Sequence, residues 1–118
     1  MALRKERWTK IDIATKVESP RKTYRLDKVF VSPGGLFVET NDELDVGTQL
    51  TVSFSIEGQK VLAHTELRRL LDSDSASMRG IENSGQGWEM RLVRMEGDGS
   101  QILAEHIKKI LLESGGPK

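Results

Sequence analysis

Residues 50–56 read Leu-Thr-Val-Ser-Phe-Ser-Ile. Leu50, Val52, Phe54 and Ile56 alternate with short hydroxyl side chains, so an extended chain here has one apolar face and one wet face. A helix cannot gather these four residues on one side. Glu57-Gly58-Gln59 then turns the chain, and Val61 to Leu71 returns as its partner. Such a hairpin must find further strands and a cover for its apolar face.

The rest of the chain supplies both. Ile11, Ile13 and Val17 share one face within residues 8–18, until Ser19-Pro20 breaks the strand with a residue that has no N–H. A second strand runs from Thr23 to Val31. Tyr24 and Leu26 lie on one parity, Val29 and Val31 on the other, which predicts a bulge near Lys28. Ser32-Pro33-Gly34-Gly35 leads into a short strand, Leu36 to Thr40, and a polar connection follows through Asn41-Asp42-Glu43 and Gly47. Residues 72–86 hold little to bury and predict a mobile loop. Trp88, Met90 and Leu92 mark a last strand. The period then changes: Leu103, Ile107, Ile110 and Leu111 fit a helix over 98–114, with Asp98 as its cap, Gln101 three residues on, and Gly115-Gly116-Pro117 as its stop. The expected fold is mainly β. It is a single domain over residues 1–118, a six-stranded antiparallel barrel with one C-terminal α-helix across an opening and residues 1–7 as a flexible N-terminal arm.

Function is narrowed first by exclusion. Eighteen Lys plus Arg balance eighteen Asp plus Glu over 118 residues, unlike the strongly basic surface of a dedicated nucleic-acid binder. No cysteine is present, which removes disulfides and thiolate chemistry. No apolar signal core or membrane-length segment is visible, so the expected location is cytoplasmic. His64 and His106 sit in no motif. Asp42, Glu43, Asp45, Asp72 and Asp74 lack metal-ligand spacing, and no nucleophile elbow or Gly-Lys-Ser/Thr phosphate loop occurs. The expectation is a protein with no catalytic residues, no metal and no cofactor.

One pattern stands out. Antiparallel pairing about the Ser19-Pro20 turn sets residues whose numbers sum to about 40 opposite each other. Arg7 then lies beside Ser32-Pro33, while Arg21 and Arg25 fall at the far end of the hairpin. Arginine forks grip phosphates and stack on bases. A serine hydroxyl can donate to a phosphate, and glycines let backbone come close to a ligand.

Together the strand order, the Val-Ser-Pro-Gly-Gly-Leu-Phe-Val turn, the Gly87-Trp88-Glu89-Met90 strand and the closing helix resemble the PilZ domain family over nearly the whole chain. The Gly34-Gly35-Leu36-Phe37 stretch is similar to a subgroup common in myxobacteria. The resemblance implies a six-stranded barrel and, for many members, binding of the bacterial second messenger cyclic di-GMP. It implies ligand contacts from an Arg-x-x-x-Arg pair before the first strand and from Asp/Asn-x-Ser-x-x-Gly after the second. Ser32 and Gly35 match the second motif, with Gly34 beside them, and Arg7 matches the second arginine of the first. The sequence departs at two positions: Phe30 stands at the Asp/Asn position, and Leu3 at the first arginine, with Arg4 one residue away. Two functions follow. One is a cyclic di-GMP receptor or adaptor whose N-terminal arm is ordered by ligand through Arg4, Arg7, Ser32, Gly34 and Gly35. The other is a degenerate adaptor that binds a protein partner through an exposed Phe30 and takes no nucleotide. A small enzyme ranks below both.

Overall fold

A computed structural model of the chain describes residues 7–115, with side chains through Glu113. Eight strands form one antiparallel sheet, where the sequence predicts six. The difference has a single cause. The two N-terminal strands form a long hairpin, and each is broken in its middle. The first becomes β1 (Thr9–Ile11) and β2 (Thr15–Glu18). The second becomes β3 (Thr23–Leu26) and β4 (Val29–Ser32). Across β1 and β4, Thr9 faces Val31 and Ile11 faces Val29. Across β2 and β3, Thr15 faces Leu26 and Glu18 faces Thr23. The register slips by one residue between the two halves, which is the parity change near Lys28. Ser19 caps the tip: its Oγ accepts from the amides of Arg21 and Lys22 and donates to the Lys22 carbonyl.

The remaining strands are β5 (Gly35–Glu39), β6 (Gln49–Ile56), β7 (Gln59–Leu71) and β8 (Gly87–Met95), and the sheet order is β1-β4-β5-β8-β7-β6-β2-β3. The ladder does not close into a barrel. It curls as an open half-barrel whose two margins are the two halves of that one bent hairpin, β1–β4 on one side and β2–β3 on the other. Inside the curl lies the main core, with Val17, Val52, Val61, Ala63, Trp88 and Met90 among its buried residues. Helix α2 (Gly99–Gly115) packs on β7 and β6, puts Leu103 into that core and rests Ile107 and Ile110 against it. Leu111, at the end of the predicted stripe, stays 46% exposed. The Gln101 amide donates forward to Glu105 at 3.3 Å, and Lys109 bonds Glu57 of the β6–β7 turn at 2.7 Å. Lys109 in turn holds the Glu57 carboxyl below its usual range.

Residues 72–86, where the sequence predicts a mobile loop, hold regular structure. They contain a short helix, α1 (Ser73–Met78), whose Asp72 cap accepts from the Ser75 amide at 2.8 Å. Ala76 and Ile81 are fully buried. With Phe30, Phe37 and Leu71 they form a second core on the outer face of the sheet, against which Trp8 packs. Backbone and side-chain bonds tie the far end of the segment down: Thr40 N donates to the Gln86 carbonyl, and Gly85 N to the Glu39 carboxylate. Among the described residues no helix is long and apolar enough to cross a membrane.

Candidate functional site

The tight turn between β4 and β5 is the centre of the site. Pro33 and Gly34 form its exposed tip, and Ser32 pairs with Gly35 across it. Ser32 is buried, and its hydroxyl donates to the Gly35 carbonyl at a long 3.4 Å. The two glycines have different roles. A Cβ at Gly35 would lie 2.3 Å from the Met90 carbonyl oxygen, so glycine is required there by close packing of β5 on β8. Space is open around Gly34, whose carbonyl accepts from the Leu92 amide at 3.1 Å.

The turn separates two cavities. On the side facing α2 lies a cleft of about 370 Å³, and Arg7, Thr9, Ser32 and Gly35 share its wall with Leu103, Ile107 and Leu111 of the helix. The lining is largely apolar, and Arg7 is the single charged residue on it among the described residues. The hairpin pairing thus brings together Arg7 and the Ser32–Gly35 turn as the sequence predicts. Arg4 and the N-terminal arm up to residue 6 lie outside the described residues.

On the outer face lies a smaller cavity of about 210 Å³, bordered by Trp8, Ser32, Gly34, Gly35 and by Arg68, Arg79, Glu89 and Arg91. The sequence reading missed these charged residues. Arg68 is the extra residue of a β-bulge: Leu67 pairs with Met90 and Arg69 with Glu89, so Arg68 opposes no partner. No periodicity marks such a position in advance. Glu89, only 7% exposed, is neutralised by Arg79. One contact, Arg79 Nη2 to Oε2, is a well-formed hydrogen bond at 3.0 Å; the other, Nε to Oε1 at 2.6 Å, is close but off the N–H axis.

Phe30 is corrected. It is 3% exposed and meets Phe37 edge-to-face at 5.6 Å, so it is a packing residue of the outer core and no exposed interface aromatic. Its position in a turn-flanking strand suggested exposure; the residues that cover it, Ala76 and Ile81, come from the segment read as a loop. Arg21 and Arg25 do fall at the far end, Arg25 opposite Lys16. That end is closed by structural contacts. Tyr24 packs edge-to-face on Trp88 at 5.1 Å, and the Trp88 indole donates to the Asp42 carbonyl. Burial and the Asp42 carboxylate push the Tyr24 phenol up, while Lys22 and Tyr24 hold Asp42 low.

The fold has a known counterpart. It matches the Bacillus subtilis inhibitor of motility, MotI/DgrA, with a TM-score of 0.62 and 12% sequence identity over 94% of this chain and 53% of that one. This chain therefore spans about half the length of that PilZ-domain protein. At this identity the likeness is one of fold, and it agrees with the PilZ-like architecture implied by the turn and closing helix. No family model matches the sequence, and no curated protein sequence does.

Proposed function

We propose that the chain is a non-catalytic receptor or adaptor for a cyclic dinucleotide, cyclic di-GMP, bound at the Ser32–Gly35 turn. One observation carries this reading: Arg7 and the turn, 25 positions apart counted from Arg7 to Ser32, line the same cleft. An arginine beside exposed turn backbone suits a phosphate, and the apolar wall from α2 suits a base. Ligand held there touches both the sheet and α2, so binding changes the surface offered to a protein partner. A second reading, an adaptor that binds protein alone, is favoured by Phe30, because burying the Asp/Asn position under α1 removes a polar ligand contact.

Calorimetric titration with cyclic di-GMP separates the two. Arg7→Ala should weaken binding by about ten- to a hundredfold, the usual value of a charge-assisted contact. Arg21→Ala with Arg25→Ala should leave it within about twofold at fixed salt. Absence of heat with the wild-type protein supports the protein-only adaptor.

A further inference from the structure

We propose that the outer cavity is an anion site, in which Arg68 and Arg91 take a phosphate group beside the Trp8 indole. The site is built by one row of residues across the sheet. Ser32 pairs with Gly35, Gly35 with Arg91, and Arg91 with Glu66. Trp8 stands one residue before β1, next in line to Ser32. Two small residues between a tryptophan and an arginine leave a hollow in the sheet face. The β7 bulge then adds charge. Leu67 belongs to the inner core, while both Arg68 and Arg69 reach the outer face, Arg68 at the cavity wall and Arg69 at 3.8 Å from Glu89.

The charge count favours an anion. The cavity is bordered by three arginines and one carboxylate, Glu89, which Arg79 already engages. Arg91 is held by Glu66 at 2.9 Å on the exposed side, and Arg68 has no partner among the described residues. A second, independent feature is the Trp8 Nε1–H, a buried donor with no acceptor. Buried donors are seldom left unbonded, and each such exception calls for an explanation. Trp8 borders the cavity, and a small shift of its indole toward a bound anion would give that N–H an acceptor. About 210 Å³ accommodates a phosphate group and not a whole dinucleotide. Ser32 and Gly35 border both cavities, so a cyclic dinucleotide straddling the turn would meet Arg7 on one side and this arginine group on the other. The identity of that ligand rests on the receptor reading; the anion site does not.

The test uses the whole chain with two probes, inorganic pyrophosphate and cyclic di-GMP, followed by the two tryptophan indole N–H resonances. Trp88, bonded to Asp42, serves as the internal control. Pyrophosphate should shift the Trp8 signal and leave Trp88 in place. Arg68→Ala and Arg91→Ala should each weaken that binding by about ten- to a hundredfold, and Arg21→Ala with Arg25→Ala, at the far end of the hairpin, should not. A Trp8 response to both probes identifies the group as the dinucleotide's phosphodiester. A response to pyrophosphate alone keeps the site, assigns it to a phosphate monoester or diphosphate, and removes the receptor reading. A Trp8 signal indifferent to pyrophosphate, or arginine variants that fold and bind as wild type, overturns the proposal.

Discussion

Phe30 shows how one side chain can be assigned the wrong surroundings from its neighbours in sequence. It precedes Val31 and the Ser-Pro-Gly-Gly turn, and nothing local supplies a cover. The cover arrives from Ile81, about fifty residues later, and burying each of these large apolar side chains is worth about 1.5–3 kcal/mol. Placing an acidic residue at this position therefore has a structural cost. Phe30→Asp should cost at least about 3 kcal/mol of stability, through lost packing and a carboxylate placed among Phe37, Leu71 and Ile81. Phe30→Leu should cost clearly less. Urea titrations of the two variants check this; a Phe30→Asp protein as stable as wild type would show that the outer core is not formed. Arg7, by contrast, was legible, because antiparallel pairing fixes its opposite number from the position of one turn. Arg68 was not, since a bulge depends on how two strands settle together.

Among the elements, α1 is the one that sequence composition concealed. Asp72 and Ser75 carry a cap signal, but a six-residue helix with Ala76 as its buried residue has too little apolar content to register as periodicity. Its anchoring lies partly beyond its own span, in Ile81 and in the Arg79–Glu89 pair. The segment should therefore resist trypsin at Arg79 in the native protein. Arg79→Lys with Ile81→Ala should become cleavable at position 79 while the sheet survives, because the double change loosens the forked contact and empties the outer core. Rapid cutting of the wild type beside Arg79 would return the segment to the loop it resembles in sequence. The C-terminal helix was readable from its period alone. Its outer end was not, and Leu111 faces the cleft where the stripe predicts a core contact.

On the scale of the whole molecule, the strand count was misread while the pairing was not, because a bend in a hairpin interrupts hydrogen bonding without disturbing alternation on either side. Exposed carboxylates distributed over this architecture share one electrostatic trend. Lys22 holds the Asp42 carboxyl below the usual carboxylate range, and the Ser75 amide does the same for Asp72, Lys109 for Glu57 and His64 for Glu96. A depressed folded pKa gives stability that is present above the unfolded value and lost as pH falls through the folded one. Stability measured by urea should therefore hold level down to about pH 4.5 and decline below it. Added salt should shrink the part due to ion pairs and spare the part due to the Asp72 cap. A profile flat to pH 3 would show that these contacts do not survive in solution. The bent hairpin has a mechanical consequence as well. Its two lengths are the opposite selvedges of one fabric, stitched together at residues 12–14 and 27–28. A displacement of β1 would thus be handed to β2, and to the Val17–Val52 pairing on the other margin, along the backbone itself.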